Sequence, residues 1–522
     1  MTTLQLDEAR VADLRETAFA ELRRFLPPAN LHAALRCGAR LAAALPRPDK
    51  LDANLVLVAF GGGKDSAYAV AFVRAVQLIL FRVHGATFRL RVATNRHAGM
   101  PRAVLENISR AYEALRLPGD PDCELLLIDG NEVTPFDAAA PQRDHVVRRN
   151  RLDLLMTGHR TFGDGRPTFC NACNFSVVNS FGLAAAYGAG ADVIITGDSP
   201  AEQRAYAVWV GRLARGVAAA PADGPAGPVG PAGPVGPGLP RFLGKLDQVA
   251  RAYFAEIHGP GAAEAIAERR IATGVPERLK FFSIYGDTAY EAGDHMRLLT
   301  GFLGFEFDDV AFSFTESDCG NPALMAHLRG LRCERVFQRP YAEGMAEYVT
   351  FALGLMREKN YPAELIELMR QRYAGPDAVA RMRLAASEYA VSTFRLTEEQ
   401  LACMVHSPFT GAGAGLAEFL SREQPALAGR AGDIHALLGG QAAVADAADA
   451  AHWAPALAGE LERISGLGLA QLRVLYASPA PGHDGTASGL IGAVLAGDPH
   501  KAVISTRHAK SGPAVLEQIS GR

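Results

Sequence analysis

The chain has 522 residues, long enough for about two to four domains, and its 49% hydrophobic and 21% charged composition is that of a globular protein. A net charge of -3 gives no overall attraction for nucleic acid, so an RNA substrate would need a local basic patch. Seven cysteines, an odd number spread thinly, do not read as a disulfide framework and point any special cysteine toward metal or thiol chemistry. No basic N-terminus runs into an apolar core and no long uncharged apolar span is evident, so the expectation is a cytoplasmic protein that engages no membrane.

Residues 1–50 read as a helical preface, with apolar residues at helical spacing over 8–25 and an Ala, Leu and Arg-rich stretch over 33–45. The apolar run 55–60 predicts a buried strand. Gly61, Gly62 and Gly63 then make a tight turn, and Asp65 and Ser66 open an amphipathic helix to about residue 81. Successive glycine N–H groups can line a concavity for phosphate oxygens, the helix start adds its positive dipole end, and Lys64 adds a point charge. The loop is suited to an anion. It is not a Walker A loop, because Asp65 stands where Ser or Thr must follow the lysine, and residues 61–66 do not supply G-x-G-x-x-G.

This segment resembles the Ser-Gly-Gly-x-Asp-Ser signature of the PP-loop ATP pyrophosphatases. Gly62, Gly63, Lys64, Asp65 and Ser66 are in register, and Gly61 stands where the family has its first serine. The resemblance implies an α/β fold with a parallel five-stranded, doubly wound sheet of the adenine nucleotide alpha hydrolase type. It also implies an enzyme that binds ATP, transfers AMP to a substrate oxygen and releases pyrophosphate.

Strand candidates at 55–60, 88–94, 124–129 and 192–196 alternate with helices, which by itself predicts a parallel sheet with ligands at the carboxyl ends of the strands. Gly61, Thr94 with Asn95, Asp129, and Gly197 with Asp198 all fall at those ends. Arg143, Arg148, Arg149, Arg151, Arg160 and Arg166 form a basic segment, either a solvated helix face or a patch for phosphate.

Cys170 and Cys173 follow at C-x-x-C spacing before a helix over 175–188, a pattern that can share a metal, form a redox disulfide or supply an activated thiolate. Together with Gly197-Asp198-Ser199-Pro200 this region is similar to two PP-loop subfamilies, and the likeness spans about residues 53–212. In tRNA thiolases of the 2-thiocytidine type, a C-x-x-C pair and a later cysteine hold an iron–sulfur cluster. Sugar amidotransferases instead place nitrogen on the activated carbon and share the Gly-Asp-Ser-Pro wording, whereas Asp198 replaces the first histidine of the thiolase pattern. Cys319 is the first choice for a third cluster ligand, with Cys333 behind it; Cys403 sits in an apolar helical setting.

A Gly-Pro-x run within 219–240 predicts a linker between the ATP-binding domain at 51–218 and a second half at 241–396, which holds the substrate or cluster region. That half opens with a helix over 241–258 and a strand-like stretch at 279–285. A further strand is expected at 310–314, and amphipathic helices at 343–359 and 363–373. An Ala- and Gly-rich region at 397–522 completes an α-rich C-terminal part, with strands expected at 473–476 and 502–505 around a helix at 489–495. The adjacent pairs Asp294-His295 and His483-Asp484 are weak catalytic candidates, because neighbouring residues point in different directions.

On the resemblance, Gly61, Gly62, Gly63 and Ser66 would cradle pyrophosphate, Lys64 would balance its charge, Asp65 and Asp198 would hold Mg²⁺, and Thr94-Asn95 would lie near the nucleoside. Displacement of AMP by sulfur would use Cys170 and Cys173 as ligands of an iron–sulfur cluster or as a persulfide and its resolving partner. Displacement by ammonia or an amine, as in an amidotransferase or amide ligase, would leave that pair structural and able to bind zinc. A nucleotide-binding module without turnover is the third expectation. The partner is a small molecule or tRNA, with a sulfur- or ammonia-donor protein.

Overall fold

The computed structural model describes residues 3–197, 200–219, 239–259, 261–288, 295–440, 447–482 and 489–520. Asp198, Ser199, the Gly-Pro-x run, Asp294 and the His483-Asp484 pair lie outside the described residues. The chain folds as a mixed α/β protein around a six-stranded, mostly parallel sheet with the order β4-β3-β2-β1-β5-β6. The strands are β1 (Leu55–Ala59), β2 (Arg89–Asn95), β3 (Cys123–Asp129), β4 (Glu132–Pro135), β5 (Val193–Ile195) and β6 (Lys280–Phe281). All pairings are parallel except β3 with β4. The four early strands stand where the apolar runs predict them. The stretch at 279–285 contributes β6 to the same sheet, and the antiparallel edge strand β4 goes beyond the expected five.

β1 is buried along its whole length, and its pleat divides two cores. Leu55 and Leu57 face one, Val56 and Val58 the other. A central parallel strand covered on both faces needs this unbroken apolar run. On the Val56 face pack α1 (Thr3–Leu22), α2 (Pro28–Ala44), α3 (Lys64–His84) and α4 (Arg102–Ala114). On the Leu57 face lie α5 (Asp144–Gly158), α6 (Asn171–Ala186), α7 (Pro200–Ala219) and α8 (Leu239–His258), and that core continues to Ile519 near the C-terminus. α3 is the one described helix long and apolar enough to cross a membrane, and 78% of its apolar window is buried inside the protein.

Buried charges fix the layers. Arg91 on β2 donates to the carbonyls of Ala184 and Tyr187 at the end of α6 (2.8 and 2.9 Å), and to Glu124 on β3 (2.6 Å). It supplies a cation where the carbonyl end of a helix favours one, so α6 is anchored to the sheet at the end opposite its cysteine. Asp120 receives Arg15 of α1 at 2.6 Å and Arg74 of α3 at 2.9 Å. Burial alone would raise this carboxyl, and the two guanidinium groups hold it below its usual range.

Two strand expectations are corrected. Residues 310–314 form no strand: they end in an isolated bridge between Ser313 and Glu316, and Phe312 and Phe314 are buried against helices instead of a neighbouring strand. The stretch 473–476 lies in the helix Leu469–Ala477. The expected strand at 502–505 is present, as β7 (Lys501–Arg507), but its partner is β8 (Ala514–Ser520). This hairpin docks through Glu517, which meets Arg332 at 2.9 Å and also pairs with Arg329, while Ser520 donates its N–H to Asp164 at 3.0 Å.

Replacing Asp120 with alanine leaves Arg74 buried without its anion and Arg15 with Asp122 alone, so Asp120→Ala should lower unfolding free energy by about 3–5 kcal/mol in urea denaturation. A loss below about 1 kcal/mol would mean that these arginines find water or another carboxylate.

Candidate functional site

The carboxyl end of β1 lies between β2 and β5, where the sheet order changes direction, the place at which sheets of this kind bind ligands. Gly62 has φ +83°, and a Cβ there would lie 2.5 Å from Val104 and 2.8 Å from Ile108 of α4. Only glycine fits. Gly63 is the N-cap of α3 and brings no side-chain cap, which leaves the first N–H groups of the helix to outside partners. From the other side β5 ends against the same turn: a Cβ at Gly197 would come within 2.9 Å of the Ser66 Cα. Ser66 Oγ donates to the Gly63 carbonyl at 3.1 Å.

The helix start is satisfied from a distant part of the chain. Ser317 Oγ accepts the Lys64 N–H at 3.0 Å, in the position an anion oxygen takes at a helix N-terminus. Asp318 lies beside it, with Oδ2 3.1 Å from where a Cβ of Gly61 would be. Lys64, 8% exposed, turns its ammonium to both oxygens of Asp65 (2.8 Å each) and sits 5.3 Å from the centre of the Tyr361 ring. Tyr361 in turn donates to the Thr315 carbonyl at 2.9 Å. Residues 315–318 thus cover the glycine loop.

The turn after β2 holds this cover in place. The Gly320 N–H donates to the Gly99 carbonyl at 2.9 Å, and the Tyr389 hydroxyl donates to the same carbonyl at 2.8 Å. His97 Nδ1 accepts the Gly99 N–H at 3.2 Å. Burial pushes this imidazole down to about 4, against the opposing pull of the Asp318 backbone and the Glu316 charge, so it is neutral near pH 7.

The expected strand-end residues divide. Asn95 faces the crevice side of α6, with its amide 3.5 Å from Ser176 Oγ and its Oδ1 buried without a partner among the described residues. Thr94 points the other way, fully buried and bonded to the Tyr112 hydroxyl at 3.2 Å. Asp129 is taken up by Arg96 at 2.9 Å.

Cys170 ends a single π-helical turn, Arg166–Cys170, and Cys173 lies in the first turn of α6, so the pair begins a helix that starts earlier than expected. Such π turns recur at functional positions. None of the seven cysteines is in a disulfide. Cys319 is the later cysteine that comes near: burial, then Glu316, Asp318 and Cys173, raise its thiol well above the ordinary range. Cys333 and Cys403 are fully buried, Cys403 within the larger apolar core.

The arginines of the basic segment do not form one patch. Arg143 pairs with Glu132, Arg151 reaches Gln400 at 3.3 Å, and Arg160 is buried on the carbonyls of Met156 and Ile257. The side chain of Arg166 is outside the described residues. Arg149 lines a cleft beyond β3, with Asn131, Asp153, Cys173, Ser176 and Asn179. Asp153 there receives His258 at 2.7 Å and Arg269 at 2.8 Å.

Glu316, Ser317 and Asp318 are the site residues that the sequence reading did not single out. The available signal was a polar run between Phe314 and the helix opening at Asn321. No model of a known protein family matches the chain, and a search of curated proteins finds no match.

Gly62→Ala should destabilise the fold by about 1–3 kcal/mol, since it combines a positive φ with a clash on α4; urea unfolding measures this. Burial alone would raise Asp153, and Arg269 and His258 overcome that and bring it from 3.8 down to about 2. The folded value lies below the unfolded one, so this stability is present above about pH 4 and is lost as pH falls through about 2. Wild type should exceed Asp153→Asn by about 2 kcal/mol near pH 6, and the gap should narrow in unfolding curves taken at successively lower pH.

Proposed function

We propose that the chain is an AMP-forming enzyme of the PP-loop ATP pyrophosphatase kind. It activates a substrate carbonyl or carboxylate oxygen with ATP and then exchanges AMP for sulfur. The observation that carries this reading is the uncapped start of α3 behind Gly61, Gly62 and Gly63, whose first N–H is met by a hydroxyl oxygen of Ser317. It is an anion seat at the crevice of a parallel sheet. The order β3-β2-β1-β5-β6, with helices on both faces, supports the five-stranded doubly wound arrangement of adenine nucleotide alpha hydrolases, with β4 as an added edge. A cytoplasmic setting suits this chemistry and the absence of disulfides.

In the reaction, the substrate oxygen bonds to the α-phosphorus of ATP as the bond to the bridging oxygen breaks, and pyrophosphate leaves with that electron pair. The N–H groups at the start of α3 and the Lys64 ammonium take up the charge on the departing oxygens. Asp65 is the described carboxylate of the loop that would hold Mg²⁺, which would supply positive charge against the phosphate oxygens.

The terminal sulfur of a persulfide on Cys173 then attacks the activated carbon and AMP leaves. Cys170 attacks the remaining Cys173 sulfur, which releases the thiolated product and forms a Cys170–Cys173 disulfide. A donor protein supplies the persulfide sulfur and an external thiol reduces the disulfide. The position of Cys173 on a small cleft favours a small-molecule substrate. Transfer of nitrogen in place of sulfur needs neither thiol.

Phosphorus NMR of ATP incubated with the protein and Mg²⁺ should show AMP and pyrophosphate, formed slowly with water as the attacking oxygen. Lys64→Ala should slow this about 10²–10³-fold. Formation of ADP and phosphate would overturn the reading, and ATP binding without cleavage would make the chain a nucleotide-binding module. Loss of sulfur incorporation, but not of AMP formation, in Cys173→Ala separates sulfur transfer from amide formation.

A further inference from the structure

The segment that covers the glycine loop carries a group of metal donors. A carboxylate oxygen of Glu316, one of Asp318 and the sulfur of Cys319 all lie within 4.8 Å of one another, each on a partly buried residue. This spread is close to what a single ion would draw together, since zinc bonds to sulfur at about 2.3 Å and to carboxylate oxygen at about 2.0–2.2 Å.

Three features distinguish the group from an ordinary acidic turn. First, it faces a seat for anions, with Asp318 Oδ2 3.1 Å from the Cβ position of Gly61. Carboxylates against such a seat repel what it holds unless a cation lies between. Second, the set holds a thiol beside its two carboxylates: Cys319 directly precedes Gly320, the N-cap of the helix Asn321–Leu331. A second thiol, Cys173, is within electrostatic reach from the start of α6. Third, the donors are held from behind. The His97 ring bonds to the Asp318 backbone, and the Tyr389 hydroxyl lies 2.8 Å from the Gly99 carbonyl and 3.0 Å from Asn321 Oδ1. Ligand sets are commonly oriented by such outer hydrogen bonds.

We propose that Glu316, Asp318 and Cys319 form a site for one divalent transition metal of the zinc or ferrous class, with Cys173 as the nearest further thiol. Mixed sulfur and oxygen donors select such ions over Mg²⁺, which takes oxygen alone. Three protein ligands leave a position open. The role of that position rests on the adenylation reading: it would take a phosphate oxygen of ATP or the oxygen that attacks.

The test is titration of metal-depleted full-length protein with Co²⁺, read as the near-ultraviolet thiolate-to-cobalt charge-transfer band. One equivalent should develop the band, and Zn²⁺ should displace it. The band should vanish in Cys319→Ser, and Co²⁺ affinity should fall by about tenfold or more in Glu316→Gln. Circular dichroism establishes that each variant is folded, and the partly exposed Glu316 gives a readable variant even if Cys319→Ser is not. No band in the wild type, or a band unchanged in Cys319→Ser, overturns the site. Iron with acid-labile sulfide in protein purified without oxygen overturns it too, in favour of a cluster. Phosphorus NMR on the same samples keeps the two readings apart. A cobalt band without AMP formation leaves the metal site standing and removes adenylation, whereas AMP formation without a band removes the metal site alone.

Discussion

Backbone held too close to its neighbours for any side chain, at the end of β1, is the constraint from which the rest follows. Gly62 is pressed against Val104 and Ile108 of α4, and Gly197 against Ser66 of α3. Neither contact leaves room for a side chain. Because both faces of the turn are occupied, α3 can begin only where it does, with its first N–H groups directed out of the sheet toward residues 315–318. The place and direction of this helix start are therefore a property of how β1, β5, α3 and α4 meet.

Buried ion pairs decide which remote segments meet around that centre. Arg15 and Arg74 on Asp120 join the N-terminal helix to α3. Arg269 and His258 on Asp153 bring the chain beyond α8 to α5, beside the cleft that Cys173 lines. Arg329 and Arg332 on Glu517 dock the C-terminal hairpin. An intact buried pair adds little net stability because desolvation offsets its attraction, while a broken one is costly. Such pairs act mainly as selectors: an alternative packing that leaves Asp153 without Arg269 is excluded by the unpaired charge.

Local pattern was enough for what is locally determined. Strands β1, β2, β3 and β5 are apolar runs between turn residues, and the glycine loop declares itself through the residues on either side. The failures share a cause. Residues 310–314 and 473–476 are four- or five-residue apolar runs, too short for periodicity to separate strand from helix. The first packs against helices and the second continues one. Thr94 and Asn95 are adjacent at a strand end, so the pleat sends one to each face, and only Asn95 reaches the crevice side. The basic segment dissolved because Arg143, Arg151 and Arg160 are each claimed by a different neighbour. The cover at 315–318 was beyond local reading, since Ser317 and Lys64 are 253 residues apart.

That cover poses an electrostatic question that decides how the site could work. A phosphate oxygen about 4 Å from the Asp318 carboxylate would meet a repulsion of about 4 kcal/mol at an effective dielectric constant of about 20. A hydrogen bond from a helix-start N–H to a charged oxygen contributes about 1.5–3 kcal/mol. Two or three such bonds would largely be offset by one or two nearby carboxylate charges, and the ammonium of Lys64 is already turned to Asp65. The loop alone is thus a weak receptor while residues 315–318 stay where they are. Either the cover withdraws, exposing the N–H that Ser317 now occupies, or a cation between Asp318 and the phosphate turns the repulsion into a bridge. The second course leaves the Gly99, Gly320 and Tyr389 hydrogen bonds intact, and for that reason it is the one the local structure favours.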